Sequence, residues 1–197
     1  MAEAIRIIKR EHRNIETVLS LMRRRAEEAA DGGTIDGDLF TAIIDYMKSF
    51  PGRIHHPKEE RHVFAALQRR DPSLAPLLDL LREEHEMGRA LLSGLEEVLA
   101  FCRRDRSARG RFRDSVNAYT EFERRHMARE ERELLPLATE ILTEEDWREI
   151  DAAFARNDDP LFGQEAREPF ERLLAEIVGF RLIDKKDTQA PDLFRPL

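Results

Sequence analysis

Two short stretches constrain this chain more than any other part of it: HHPKEE at positions 55 to 60 and HMAREE at 126 to 131, each with a glutamate four residues after a histidine. Four residues is slightly more than one helical turn. On helices, His55 and Glu59 therefore project from one face, and His126 and Glu130 do the same. Each pair can reach a single point in space. His12 and His85 add one imidazole each from two further helical segments. Imidazole and carboxylate together suit iron, manganese or zinc better than calcium or magnesium, so the chain reads as a bundle wrapped around metal.

The periodicity supports helices at all four places. Ile5, Ile8, Ile15, Leu19 and Met22 recur at helical spacing from Ala2 to about Ala30, with His12 on the same stripe, until DGGTIDGD breaks the pattern. A second helix starts near Gly37 or Asp38, with Phe40, Ile43, Ile44 and Met47 on its inner face. Pro51 is expected to kink or interrupt it, and a further piece from about Arg53 to Arg70 carries His55, Glu59, His62 and Ala66 on one line. The third helix, from about Leu74 to Arg104, has His85 in the middle of a leucine seam. The fourth, from about Arg111 to Leu142, turns Tyr119, Phe122, His126, Glu130, Glu133, Leu134 and Leu137 inward. Four long helices with short links predict an all-α fold: an antiparallel up-down four-helix bundle over residues 1–142. HHPKEERHVFAAL and HMAREERELLPLA align His55 with His126 and Glu59 with Glu130, a weak internal repeat.

Residues 143–197 read as accessory helices packed on or trailing the bundle. Thr143 and Asp146 make an approximate helix-start signal for a helix to about Arg156, which Trp147 and Ile150 would pack down. Another amphipathic helix is expected from Gln164 to Val178, and the tail from Ile183 reads as irregular, with Leu193 and Phe194 able to pack on the bundle.

Composition narrows the function classes. The net charge of −7 is finely interleaved, which leaves no basic face for a phosphate backbone and excludes nucleic acid as the expected partner. Cys102 is the only cysteine, so neither an intrachain disulfide nor a thiolate cluster is available, and it reads as inert packing. No signal-like apolar core and no membrane-spanning run are present, and the cytoplasm is the expected compartment. A lone histidine on an apolar stripe is usually a satisfied core residue. Four histidines and two glutamates facing one core are different, because each unpaired buried charge costs several kcal/mol unless something neutralises it. A dinuclear cation does so, with the two glutamates bridging and the histidines capping the outer positions.

The set His12, His55 with Glu59, His85, and His126 with Glu130 resembles the hemerythrin-like HHE cation-binding family over about residues 1–142, with HHPKEE and HMxxEE followed by LLP as its more specific marks. The resemblance implies a four-helix bundle around two non-haem iron ions, with bridging carboxylates, a bridging oxo or hydroxo group and an open position for dioxygen or a related ligand. Manganese or zinc are possible substitutes. Oxygen-carrying members place a second histidine four residues after the first on the third helix, and here that position is Arg89, beside Gly88. His56 could fill the gap, and an alternative register pairs His56 with Glu60. The match of His55–Glu59 to the fourth helix favours the first register.

One turn further on, His62 and Glu133 read as an interhelical polar pair near the centre, with supplementary ligation as the alternative. Tyr119 lines the pocket or the core, and Glu60 and Glu84 are solvated or support the ligands. Three functions are compatible with these residues: a di-iron protein that binds dioxygen, nitric oxide or peroxide, or stores or senses iron; a redox enzyme of the peroxidase-like or iron-centre repair type using the same site; and a metal-free structural module.

Overall fold

Helix punctuation is visible at each end of the first two segments. The computed structural model describes residues 2–156, 158–163 and 170–187. Helix α1 spans Glu3–Ala30 and stops at a turn where Gly32 takes φ 106°, a conformation that favours glycine. Helix α2, Gly37–Ser49, starts on Asp36, whose side chain accepts from the Leu39 amide. The α-helix stops just before Pro51, the interruption expected there, but the chain keeps its helical course. Pro51 opens a π-helical turn, Pro51–His55, in which the His55 amide donates to the Phe50 carbonyl, and α3 (His56–Lys58) continues directly from it.

A second π-helical turn, Glu59–Phe64, leads into α4, Ala65–Arg70. After a 3-10 turn, α5 spans Ala75–Cys102 and α6 spans Arg109–Arg129. A third π turn, Glu130–Leu134, then passes into α7, Leu135–Ile141. The two π turns after the histidines begin at Glu59 and Glu130, the aligned glutamates of the weak repeat. The repeat is therefore one of backbone geometry as well as of residues. No strand occurs among the described residues, and no described helix is long and apolar enough to cross a membrane.

Helix α1 packs along α6, and α6 along α5, while α2 meets α1 and α5. Their inward faces build two apolar cores. One gathers Ile15, Leu19, Met22, Phe40, Leu95 and Phe112. The other gathers Ile5, Ile8, Phe64, Leu81, Leu134 and Leu135. Each fully buried side chain of this size contributes roughly 1.5–3 kcal/mol. On α1, His12 falls between Ile8 of one core and Ile15 of the other; on α5, His85 falls between Leu81 and Leu92. The histidines thus form a polar layer clamped between two greasy ones.

The C-terminal elements join those cores. Helix α8, Glu144–Phe154, starts with a complete capping box in which Thr143 and Asp146 exchange hydrogen bonds, and Ile150 and Phe154 are buried. Asp151 accepts from the Ala4 amide at 2.7 Å, fixing α8 to the start of α1. Helix α9, Glu171–Asp187, sends Leu173 and Ile177 into the other core and extends into the stretch from Ile183 that sequence suggests is irregular. The expected start at Gln164, like Leu193 and Phe194, lies outside the described residues.

Candidate metal centre

The π turns reset the helical register. One extra residue in a turn rotates the next stretch of helix by about 100°, so adjacent side chains that would diverge on a regular helix can both be recruited. His55 closes one such turn and His56 opens α3, and both are buried. Two groups of side chains result, in each of which the donor atoms lie within 4.8 Å of one another: His12, His55, Glu59 and Glu130 in one, His56, His85 and His126 in the other.

The glutamates face both groups. Glu59 turns Oε1 toward His12 and His55, at 3.9 and 3.6 Å from their Nε2 atoms, and Oε2 toward His85 at 4.0 Å. Glu130 turns Oε2 toward His12 at 3.3 Å and Oε1 toward His85 and His126 at 3.7 and 3.4 Å. Most of these separations exceed a hydrogen bond. They are near the roughly 3 to 3.5 Å expected between two ligands that each sit about 2.1 Å from one ion. The donor set passes a second test. Nε2 of His12, His55, His85 and His126, Nδ1 of His56, and both oxygens of Glu59 and Glu130 are sealed from solvent with no hydrogen-bond partner. Leaving that many buried polar atoms unsatisfied would be prohibitive for a structural core, and cations fit them.

The outer nitrogens are satisfied in a closed ring. Glu11 on α1 holds His55 Nδ1 at 2.7 Å, and Glu60 holds His85 Nδ1 at 2.6 Å. Glu84 on α5 holds His126 Nδ1 at 3.1 Å, and Glu131 returns to hold His12 Nδ1 at 2.9 Å. In each case the carboxylate is the sequence neighbour of a centre residue: Glu11 of His12, Glu60 of Glu59, Glu84 of His85 and Glu131 of Glu130. Each helical segment therefore orients the histidine of the next one round. Such carboxylate–imidazole pairs fix which nitrogen faces a metal.

Charge within the layer is uneven. Burial works against a charged His12, but Glu130 and Glu131 outweigh it and raise the imidazole to about 9. Burial lowers His55 despite Glu11, and burial beside His85, His55 and His126 pushes His56 well down. Burial next to Glu130 and Glu11 drives Glu59 well above the usual carboxylate range. Glu130 stays well below it, because His126, His12 and His85 overcome its burial. Without a cation, the pair is thus driven apart, Glu130 toward its charged form and Glu59 toward its neutral one.

All seven residues expected from sequence, His12, His55, His56, Glu59, His85, His126 and Glu130, fall in these two groups. Glu59 rather than Glu60 faces the centre, which is the register matching α6. Arg89 is exposed and pairs with Glu86. The expected meeting of His62 and Glu133 does not occur: Glu133 lies outside and approaches Arg129, and no hydrogen bond or ion pair among the described residues joins it to His62. Their turn of helix has been rotated by the π register. Sequence reasoning missed Glu11, Glu131 and Glu123; for the first two, the signal was an acidic residue next to a centre residue. Glu123 is buried with Tyr119 on α6, and burial raises its carboxyl above the ordinary range. Beside it a cleft of about 240 Å³ runs to His56 and His85.

The sequence matches the family model described as the hemerythrin HHE cation binding domain over residues 3–138. No curated protein and no solved structure matches it.

Proposed function

The chain belongs to the hemerythrin HHE cation-binding family, and from that premise we propose that it is a non-haem di-iron protein that binds dioxygen or a related small ligand, nitric oxide or peroxide, or senses or stores iron in the cytoplasm. In this reading residues 1–142 form an antiparallel up-down four-helix bundle and 143–197 an extension packed against it. His12 and His55 would hold one ion, His56, His85 and His126 the other, with Glu59 and Glu130 shared between them. The observation that carries the reading is the set of nine sealed donor atoms without partners, five imidazole nitrogens and four carboxylate oxygens. Imidazole with carboxylate favours iron, manganese or zinc. An iron pair would supply electron transfer to or from a bound small molecule. The chain's own part is to fix imidazole tautomers through the carboxylate ring, exclude bulk water between two apolar cores, and keep one carboxyl, Glu123, near the cleft.

Elemental analysis of purified protein tests this directly. About two irons per chain are expected, falling to none when Glu59→Gln and Glu130→Gln are combined. Metal-free protein from iron-replete cells overturns the proposal. The size of the cleft favours a second reading, a redox enzyme of the peroxidase-like or iron-centre repair type. Its room is several times the roughly 30 Å³ a water occupies. Steady-state peroxide consumption separates a turning-over enzyme from a binder or sensor.

A further inference from the structure

Four of the five central imidazoles have their outer nitrogen held by a carboxylate and one does not. His12, His55, His85 and His126 each give Nδ1 to a carboxylate and turn Nε2 inward. His56 differs: its Nδ1 is sealed without a partner, and no carboxylate among the described residues hydrogen-bonds its ring. Its ring is held by packing alone, stacked on His85 at 4.1 Å between centroids and flanked by the rings of His55 and His126 at 5.5 and 5.4 Å. A stack resists tilting but does not fix rotation about Cβ as a charged hydrogen bond does. His56 is also the most exposed of the five, at 6 %.

The cleft reaches the centre at this same residue. His56 and His85 line it, whereas His12 and His55 do not. Its inner wall carries Glu123, only 4 % exposed, and Tyr119, which interacts with that carboxyl. Gly88 makes room for it: a Cβ there would stand 2.6 Å from Glu123 Oε1. Larger residues at 88 would push the carboxyl out of this place or fill the cleft. A buried carboxyl that is not within reach of the donor groups, yet faces the same opening, is placed to hydrogen-bond something that enters.

Resting on the di-iron reading, we infer that exogenous ligands enter at the three-imidazole end through the cleft beside His56, that His56 is the exchangeable member of the ligand set, and that Glu123 hydrogen-bonds the incoming molecule. The ligand class is a small protic molecule or its anion, of the size of peroxide or azide, since the carboxyl can accept its proton or donate one. His56 swings into the cleft as the ligand arrives, while the four anchored histidines stay.

Two measurements decide this. In metal-free full-length protein, limited acylation by diethyl pyrocarbonate, read by peptide mass spectrometry, should label His56 ahead of the four anchored histidines; equal or faster labelling of His85 overturns the proposal. In iron-loaded protein, His56→Ala and His56→Asn should each weaken iron binding at least about tenfold less than His85→Ala does, and each should bind azide about tenfold more tightly than wild type. Glu123→Leu should weaken azide about tenfold with iron content unchanged, read by optical titration. If His56→Ala loses iron as His85→Ala does, or Glu123→Leu binds azide as wild type does, the inference falls while the di-iron reading stands. Wild-type protein without iron overturns both.

Discussion

His55 gives its Nδ1 to Glu11 at 2.7 Å, and Glu11 is the residue immediately before His12, whose inward nitrogen belongs to the same group of donors. One helix thereby supplies a donor and orients another from a different segment. The relation repeats from Glu60 to His85, Glu84 to His126 and Glu131 to His12. A centre built this way couples the spacing of its helices to the aim of its imidazoles. It also predicts how unequal the four carboxylates are.

Glu11 is buried, Glu84 mostly so, and Glu60 and Glu131 reach solvent. Water screens and substitutes for the exposed pair far better than for the sealed one. Glu11→Ala should therefore lower iron affinity about 100-fold, Glu84→Ala less, and Glu60→Ala and Glu131→Ala about tenfold at most. Competition with a chelator of known affinity gives the order, and equal losses at all four positions refute it.

Glu59 and Glu130 should part company when no metal is bound. Burial beside Glu130 pushes Glu59 toward its neutral form, which Glu59→Gln mimics, so the substitution should change metal-free stability by less than about 1 kcal/mol. Glu130 is the charged partner of His12 and His126, and Glu130→Gln strands them at a cost of about 3 kcal/mol. Both variants lose iron. Urea denaturation of chelator-treated protein reads the difference, and equal destabilisation by the two substitutions contradicts it.

Asp146 ties α8 to α4 and is the clearest acid-sensitive contact away from the centre. Arg70 first, then Thr143, holds its carboxyl down at about 2 from the ordinary 3.8. A depressed carboxyl contributes stability that is complete above its unfolded value and is lost as pH falls through its folded one. Asp146→Asn should cost about 1 kcal/mol at neutral pH, from the ion pair and the capping box together. The gap between wild type and variant should close as pH drops from about 4 toward about 2. A gap that stays constant over that range excludes the linkage.

Much of this was legible in the residues themselves, for definable reasons. His55–Glu59 and His126–Glu130 are local relations at helical spacing, and the leucine seam around His85 is a period that packing rarely overrides. The all-helical fold, the family and the gathering of His12 and His56 with these pairs stem from that level. The π turns were not legible, because one extra residue in a turn leaves composition unchanged while rotating every later side chain. That is why His62 and Glu133, apparently one turn along the same faces, fail to meet. The carboxylate ring was hidden for another reason. Glu60 and Glu131 resemble ordinary solvated charges on a helix until the neighbouring segment brings an imidazole to them.

Proton release on metal binding is a consequence of the same electrostatics. In metal-free protein at pH 7, His12 is held up to about 9 by Glu130 and Glu131 despite its burial, so it carries a proton on a nitrogen a cation must use. Burial beside Glu130 pushes Glu59 toward its neutral form as well. An ion can be taken up only as such protons leave, so binding at pH 7 should release at least the His12 proton from each chain. The sign is fixed: affinity rises with pH as far as the His12 titration near 9. The raised imidazole has the opposite effect on the metal-free fold, contributing stability below about 6.5 that disappears as pH climbs through about 9. Calorimetric titration with ferrous iron, under anaerobic conditions in buffers of different ionisation enthalpy, counts the protons. Release of no protons by the wild-type protein rules out a protonated metal-free layer.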